Sequence, residues 1–295
     1  MTQDKMIPIL RWVGSKKRII DQIIDNIPKE FNNYYEPFLG SAIVFINMKC
    51  NNKIYLNDYN KDVMNIYNLV KNEPDKLIEK LEYYCKNYIK NENMEKKKEE
   101  YLHRRTLLNN FKNIYSNDKD APHPMEVSLS RAALYIYINK TCFNGFMQFN
   151  KEDNNTSGFG QIMNPKFYKE NQIYNLSKVL QNVTLENKDY KDIVINAQKG
   201  DFIYMDPPYV PDDITQCTIK YNKKGWTIED YIEMVNIFKQ LDNKGCYVML
   251  SNSDCKFIRD NFENKYNIKK ISIHRGLGRT LDKRSVKHEL IIKNY

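Results

Sequence analysis

Apolar and polar positions in the first sixty residues of this chain follow a strand, turn, helix, strand order. Residues 34–38 form a β-prone run, Leu39-Gly40-Ser41 a tight turn, and residues 42–48 an apolar stretch that predicts a helix. A second strand is predicted at 53–58. Strands that alternate with helices indicate a parallel sheet with helical connections, which is the α/β class.

Helical spacing dominates the next part of the chain. Isoleucines between positions 19 and 27 already recur at helical spacing until Pro28 ends the pattern. Apolar positions repeat every three or four residues at 63–70 and again at 77–88, and residues 131–138 are also predicted to be helical. The charged run at 95–100 is interpreted as a solvated helix face. Asn144-Gly145 lies between aromatic residues and predicts the turn of a β-hairpin within 139–160.

The α/β pattern returns after residue 165. A helix is predicted at 228–241, and strands at 183–186, 202–205, 246–251, 268–274 and 288–293. The last two strands flank a basic loop. We therefore expect an α/β fold with a Rossmann-like sheet built from 1–60 and 165–295, and a mainly helical insert, 61–164, that bears the β-hairpin.

Composition narrows the class of partner. The 295 residues include 46 Lys and Arg against 37 Asp and Glu, and the net charge of +9 favours a polyanion. The six cysteines form no CxxC pair and only four histidines are present, so we expect no metal site and a reducing setting. Because the sequence has no apolar span of 18 residues, we expect no membrane segment.

Asp206-Pro207-Pro208-Tyr209, directly after the strand predicted at 202–205, carries the most chemical information. The prolines end the strand and remove two amide donors, so the carbonyls around Pro207 can accept hydrogen bonds from a ligand. Open α/β sheets bind ligands at the carboxyl ends of their strands. Two acceptors beside an aromatic ring suit a planar group with an exocyclic amine, such as adenine. The alternative is a stiff turn in which Asp206 only caps the chain.

A second strand end points to a nucleoside. Asp58 lies 18 residues after Gly40, and an acid at that distance commonly binds ribose hydroxyls. A dinucleotide site is not indicated, because Gly40-Ser41-Ala42 departs from the G-x-G-x-x-G pattern. Gly276-Leu277-Gly278 lies too near the C-terminus to begin a βαβ unit.

Six short motifs follow one another along the chain. They are Arg11-Trp12-Val13-Gly14-Ser15-Lys16, Glu36-Pro37-Phe38-Leu39-Gly40, Asn57-Asp58-Tyr59-Asn60, Phe143-Asn144-Gly145 with Gly158-Phe159-Gly160, Asp206-Pro207-Pro208-Tyr209, and Leu250-Ser251-Asn252. In this order, over residues 9–294, they resemble the Dam-type DNA adenine N6-methyltransferases of the D12 class. In that family a target-recognition insert separates the cofactor half from the catalytic motif, which implies this role for 61–164.

The resemblance also implies the chemistry and its residues. It implies S-adenosyl-L-methionine as methyl donor, no metal, and double-stranded DNA as partner, with adenine flipped out of the duplex. Asp206 and the Pro207 carbonyl would accept the two N6 hydrogens, and Tyr209, next to Pro208, would stack on the base. Cofactor contacts are implied for Trp12, Gly14, Lys16, Glu36, Phe38, Gly40, Asp58 and Asp206. DNA contacts are implied for Arg11, Lys140, Phe143, Asn144, Gln148 and Arg279.

The sequence departs from the family pattern at a few positions. Ala42 and Ile43 stand where a second glycine and another small residue are usual. Gln148 stands where many GATC-specific relatives have arginine, and Gly158 where proline is frequent. Because glutamine pairs with adenine rather than guanine, we expect a GATC-like or variant site.

Two other classes of function are left open. One is a non-catalytic DNA-binding relative with the same fold, and the other a methyltransferase acting on cytosine N4 or on RNA adenine. We expect a monomer or a weak dimer, without membrane attachment. We expect it in the cytoplasm of a bacterium, as a phage product or associated with the nucleoid.

Overall fold

The computed structural model describes residues 5–116, 125–214, 225–273 and 287–295. The chain forms two compact units. The first comprises Met1–Ser15, Gly40–Ile46 and Asn60–Asn182, and the second comprises Lys16–Leu39, Asn47–Tyr59 and Val183–Tyr295. The first unit therefore contains the whole predicted insert 61–164 and continues to Asn182.

The second unit is built on one mixed sheet. Its strands are β1 (Tyr34–Glu36), β2 (Ile54–Asn57), β3 (Val183–Glu186), β4 (Phe202–Met205), β5 (Tyr247–Ser253), β6 (Asn267–Ile273) and β7 (Lys287–Lys293). They lie in the order β3-β2-β1-β4-β5-β7-β6. Neighbours from β3 to β5 pair in parallel, whereas β7 runs antiparallel to both β5 and β6. The predicted Rossmann-like α/β sheet is therefore confirmed.

Helices account for most of the remaining structure. They are α1 (Ile20–Ile24), α2 (Lys61–Asn72), α3 (Pro74–Lys90), α4 (Met94–Ser116), α5 (Met125–Thr141), α6 (Glu170–Leu180), α7 (Tyr190–Val194), α8 (Ile228–Asn243) and α9 (Lys256–Phe262). Helices α2 to α6 belong to the first unit, and α1 and α7 to α9 to the second.

The core of the second unit explains why β4 is apolar throughout. All four residues of β4 are buried, so this strand has no solvated face and shows no alternation. Ile203 and Met205 share a buried cluster with Val248 of β5 and Phe238 of α8. Asp206 follows directly at the carboxyl end of this buried strand.

The first unit packs around α5. Every residue from 129 to 141 is buried, so α5 is the central helix rather than an amphipathic surface helix. Arg131 of α5 donates two hydrogen bonds to Asp62 of α2, and its Nη1 donates to the Leu108 carbonyl of α4 at 3.3 Å. Asn60 caps α2 by accepting from the amides of Asp62 and Val63.

One prediction of local structure was wrong, and another has an exception. Residues 42–48 were predicted to form a helix, but only a 3-10 turn forms, at Phe45–Asn47, because Ala42 adopts a left-handed conformation with φ 58°. The charged run 95–100 was predicted to be a solvated helix face, and residues 95, 96, 98 and 99 are exposed on α4. The exception is Lys97, which is only 1% exposed and whose Nζ donates to the Tyr88 carbonyl at 2.6 Å.

The predicted hairpin has a different turn. The segment 142–160, called here the 142–160 loop, is closed by the antiparallel bridges Cys142↔Phe159 and Phe149↔Asn155. Its reversal lies at 150–154, where the Asn150 amide donates to the Asn154 carbonyl at 3.0 Å. Asn144 and Gly145, with φ 55° and 71°, instead belong to the 3-10 turn Phe143–Gly145.

Candidate active site

The motif Asp206-Pro207-Pro208-Tyr209 begins where β4 ends. Asp206 Oδ2 forms an ion pair with Lys16 Nζ at 2.7 Å, and the two side chains are 21% and 2% exposed. The other oxygen, Oδ1, is buried and accepts no hydrogen bond within the part of the chain that the structure describes. Burial raises the pKa of the Asp206 carboxyl above its usual value, and the Lys16 ammonium offsets only part of that rise.

Tyr209 is held at both its hydroxyl and its ring. Its hydroxyl donates to Glu289 Oε2 of β7 at 2.8 Å, and Lys16 Nζ lies over the ring, 4.8 Å from its centroid. Burial, with the Asp206 and Glu289 carboxylates, raises the pKa of Tyr209 well above its usual value. The phenol therefore stays protonated and keeps its donor role. Sequence reasoning did not find Glu289, because nothing in its neighbourhood on a terminal strand marks it.

Side chains outside the motif fix the backbone that follows it. Asn252 Oδ1 of β5 accepts from the Val210 amide at 3.0 Å, and the Ser253 hydroxyl donates to the Val210 carbonyl at 2.5 Å. The Tyr231 hydroxyl of α8 donates to the Tyr209 carbonyl at 3.0 Å. Pro207 is buried and Pro208 is half-buried. The motif is thus a fixed turn and not a mobile strand end.

Asn57 organises the carboxyl ends of β1, β2 and β3. It is fully buried, and its Nδ2 donates to the carbonyls of Pro37 and Lys188, each at 3.1 Å. Its Oδ1 accepts from the Lys188 amide at 2.9 Å. Asp58 follows directly and is half-buried, with its carbonyl accepting from Asn187 Nδ2 at 2.7 Å. The acid that was predicted to bind ribose therefore sits on a rigid turn.

Two further cofactor candidates lie at and beyond the end of β1. Glu36 is 2% exposed and accepts from the Tyr34 hydroxyl at 2.8 Å. Phe38 is half-buried and packs against Tyr190 and Trp226, with ring centroids 4.9 and 5.9 Å away. The Glu36 carboxylate is thus hydrogen-bonded within the core, whereas part of the Phe38 ring remains accessible to solvent.

The remaining cofactor candidates belong to the first unit. Gly40 has a left-handed φ of +49°, and a Cβ there would lie 2.6 Å from Trp12 Nε1. Only glycine therefore permits the Trp12 ring to pack on this backbone. The Tyr67 hydroxyl donates to the Gly40 carbonyl at 3.1 Å. Gly14, with φ 77°, lies in the turn that the Ser15 amide closes onto the Trp12 carbonyl.

Arg11 is tied to the 142–160 loop. Asn139 Oδ1 of α5 accepts from the Arg11 amide at 2.8 Å, and its Nδ2 donates to the carbonyls of Arg11 and Gly145 at 2.8 and 3.2 Å. The Arg11 side chain packs on Gly145, where a Cβ would lie 2.7 Å from its Cδ. Asn139 was not singled out from the sequence, although its position before the Phe143-Asn144-Gly145 motif is polar within an apolar helix.

The other predicted DNA contacts differ in accessibility. Phe143 is 64% exposed, and Asn144 and Gln148 are exposed as well. Lys140 lies in the last turn of α5 and is only 9% exposed. Residues 274–286 of the predicted basic loop, and with them Arg279, lie outside the described residues.

Two other kinds of site are absent from the residues that the structure describes. No cluster of His, Cys, Asp or Glu within these residues is arranged to hold a metal ion. No helix in the same residues is both long enough and apolar enough to span a membrane.

The strand order and the Asp-Pro-Pro-Tyr turn after β4 are those of a Rossmann-like methyltransferase. The family model for D12 class N6 adenine-specific DNA methyltransferases matches residues 12–276, so the chain belongs to this family. The protein is an adenine-specific DNA methyltransferase.

Individual relatives agree with this assignment along nearly the whole chain. The type II methyltransferase M.MjaIII of Methanocaldococcus jannaschii is 34% identical over 98% of this chain and 99% of its own length. M1.LlaDCHI, a type II methyltransferase of Lactococcus lactis subsp. cremoris, is 32% identical over 98% and 95%. A DNA adenine methylase of Vibrio cholerae is 29% identical over 86% and 84%.

Proposed function

We propose that the protein transfers a methyl group from S-adenosyl-L-methionine to N6 of an adenine flipped out of double-stranded DNA. One observation carries this proposal. Asp206 Oδ2 is paired with Lys16, whereas Oδ1 is buried and accepts no hydrogen bond from any described residue. A buried acceptor of this kind favours a donor supplied by a ligand, and the exocyclic amine of adenine is such a donor.

The chemistry of the amine explains why acceptors are needed. The N6 lone pair is delocalised into the adenine ring and is a poor nucleophile. Asp206 Oδ1 and the Pro207 carbonyl accept the two N6 hydrogens, which favours a pyramidal nitrogen with its lone pair directed out of the ring plane. The proton leaves N6 after the methyl group has arrived. The site therefore acts through orientation and preorganised electrostatics, and it needs no strong base.

Lys16 and Glu289 prepare the catalytic turn for this role. Lys16, 2.7 Å from Asp206, partly offsets the rise that burial causes in the pKa of this carboxyl, and it pairs with Oδ2, which leaves Oδ1 as the acceptor for the amine. Glu289 holds the Tyr209 hydroxyl at 2.8 Å and thereby fixes where the ring lies. The adenine stacks on the Tyr209 face that Lys16 does not cover.

The chemistry of the side chains fits the cofactor. Asp58, half-buried on the turn that Asn57 holds, is suited to accept from the ribose hydroxyls, and the accessible part of Phe38 offers an apolar surface for the cofactor adenine. Trp12, Gly14 and Gly40 form a second group of candidates, in the first unit. When bound, S-adenosyl-L-methionine supplies a methyl group activated by a sulfonium centre.

The insert 61–164 recognises the DNA in this proposal. Its 142–160 loop carries the exposed side chains Phe143, Asn144 and Gln148. Phe143 is placed to stack on or between bases when the nucleotide is flipped, and Gln148 pairs with an adenine in the major groove. Arg11, exposed and tied to this loop through Asn139, contacts phosphate. The target is GATC-like or a variant of it.

The test is to identify the methylated base. Purified protein is incubated with S-adenosyl-L-methionine labelled in the methyl group and with duplex DNA, single-stranded DNA or duplex RNA. The nucleic acid is then digested to nucleosides and separated. We expect label in N6-methyl-2′-deoxyadenosine, and from duplex DNA alone. Label in cytosine, or transfer to RNA at the same rate, would overturn the proposed substrate. Cofactor binding without transfer to any nucleic acid would instead favour a non-catalytic DNA-binding protein.

A further inference from the structure

We propose that three side chains on one face of α4 are positioning residues that determine how Gln148 meets its base. They are Tyr101, Arg105 and Asn109, called here the α4 stripe. This inference rests on the proposed reading of DNA by Gln148. It adds residues that do not touch DNA themselves but control the specificity of the same site.

The α4 stripe holds the return segment of the 142–160 loop. Its members are spaced four residues apart and therefore lie along one side of the helix. The Tyr101 hydroxyl and Arg105 Nη1 both donate to the Ser157 carbonyl at 2.7 Å. Asn109 Oδ1 accepts from the Asn155 amide at 2.7 Å, and its Nδ2 donates to the Asn155 carbonyl at 3.2 Å. Asn109 thus pairs with both the backbone amide and the backbone carbonyl of Asn155, as the backbone of a neighbouring β-strand would.

The anchored segment in turn fixes the backbone of Gln148. The Gln148 amide donates to Ser157 Oγ at 2.8 Å, and the Gln148 carbonyl accepts from the Thr156 amide at 2.9 Å. Asn155 and Ser157 are 2% and 1% exposed, so the anchor points are buried even though the Gln148 side chain is exposed. A continuous series of hydrogen bonds therefore runs from α4 to the one backbone position that aims Gln148.

A helix is a suitable support for a residue that reads bases. A bidentate contact to a base requires placement within about 0.5 Å, and side chains on regular elements are positioned more accurately than those on loops. The loop itself has only two isolated bridges among its described residues, Cys142↔Phe159 and Phe149↔Asn155. The α4 stripe supplies the rigidity that these bridges lack.

The test compares substitutions at adjacent positions of α4. Asn109→Ala removes both hydrogen bonds to Asn155, whereas Asn110→Ala makes the same change on an exposed neighbour. Asn109→Asp keeps an acceptor for the Asn155 amide but replaces the donor with a carboxylate oxygen that faces the Asn155 carbonyl, so its effect should be at least as large as that of Asn109→Ala. Tyr101→Phe leaves the Ser157 carbonyl with Arg105 and has a smaller effect. Gln148→Ala defines the base position that Gln148 reads.

The measurement is discrimination between sites. Methylated adenines are mapped in DNA from expressing cells to find the wild-type site, and single-turnover rates are then measured on that site and on duplexes changed at one base pair. We expect Gln148→Ala to abolish discrimination at one position. Asn109→Ala should reduce discrimination at that same position about tenfold, which is within the range that one base contact provides. Cofactor affinity and Asn110→Ala should match wild type.

The outcomes separate this inference from the proposed function. A general loss of stability in Asn109→Ala would lower the rates on all sites by the same factor, and that result would overturn the positioning role. Unchanged discrimination in Asn109→Ala beside an altered Gln148→Ala would overturn it as well. If Gln148→Ala leaves the map unchanged, both base reading by Gln148 and its positioning are refuted, while methyl transfer stands. Absence of N6-methyladenine from the DNA that the wild type has acted on would instead refute the proposed function.

Discussion

Gly40→Ala is the most informative single substitution outside the catalytic turn. The new Cβ would lie 2.6 Å from Trp12 Nε1 and 2.7 Å from Trp12 Cδ1. Carbon contacts are relaxed at about 3.5 Å, so the rigid indole must move by roughly 1 Å. Alanine at φ +49° adds a left-handed strain of about 1–2 kcal/mol. With the displaced ring, we expect a loss of about 2–4 kcal/mol in the free energy of unfolding.

The same substitution tests the proposed cofactor role of Trp12. We expect a lower Tm in thermal unfolding, and an affinity for S-adenosyl-L-methionine, measured by calorimetry, that falls at least about tenfold, or about 1.4 kcal/mol. Gly158→Ala is the matched control, because a Cβ at that position meets no atom within 4 Å. If Gly40→Ala matches Gly158→Ala in both Tm and affinity, then neither the packing on Gly40 nor the role of Trp12 is as described.

Three further predictions concern stability and the catalytic turn. Ala42 has a left-handed φ of 58°, so Ala42→Gly should leave the free energy of unfolding in urea unchanged or raise it by up to about 1 kcal/mol. The control Ala133→Gly, inside α5, should lower it by about 1 kcal/mol or more. Equal losses in the two variants would contradict backbone strain at Ala42. Asn252→Ala leaves the backbone amides of Val210 and Ser253 without their acceptor, so it should lower the free energy of unfolding by about 2–4 kcal/mol. It should also slow methyl transfer at saturating substrate. A wild-type rate would show that other contacts fix the catalytic turn. Hydrogen bonding to Arg259 lowers the pKa of Asp254 to about 2, so this carboxylate stabilises the fold above its unfolded pKa near 4 and loses that effect as pH falls through about 2. Asp254→Asn should therefore lower the free energy of unfolding by up to about 2 kcal/mol at pH 7, and a difference from wild type that persists undiminished at pH 2 would refute the assignment.

Of all features of the structure, the ends of strands were predicted best from the sequence. The run at 202–205 is apolar at every position, and two prolines directly after Asp206 cannot continue a strand, so the boundary follows from local sterics alone. The sheet was predicted from such runs and the enzyme class from the resemblance of the six motifs to a family, and both are confirmed. Local pattern is sufficient there because a buried parallel strand requires the same residue types in any member of this fold class.

Partners far apart in sequence could not be predicted. Lys16 meets Asp206, and Glu289 meets Tyr209, but no pattern of spacing relates residues separated by so much chain. Lys97 was assigned to a solvated face because its neighbours are charged, and burial of its stem with one hydrogen bond to a carbonyl is a tertiary effect.

Backbone conformation was a second source of error. Residues 42–48 are apolar enough for a helix, but Ala42 is left-handed and only the 3-10 turn Phe45–Asn47 follows it. Asn144-Gly145 does adopt positive φ at both residues, as its composition favours, yet it forms a turn at the end of α5 instead of joining two strands. At Asn144-Gly145 local chemistry predicted the conformation but not the element, whereas at Ala42 it predicted neither.

The central claim is that Asp206 accepts a hydrogen of the adenine amine during methyl transfer, and single-turnover formation of N6-methyladenine in duplex DNA tests it most directly. Asp206→Ala is compared with Asp254→Ala, which also removes an ion-paired aspartate at the end of a strand. We expect Asp206→Ala to bind S-adenosyl-L-methionine within a few-fold of wild type but to lose at least about 10³-fold in rate, while Asp254→Ala keeps its rate. A rate for Asp206→Ala within about tenfold of wild type would contradict the catalytic role of Asp206.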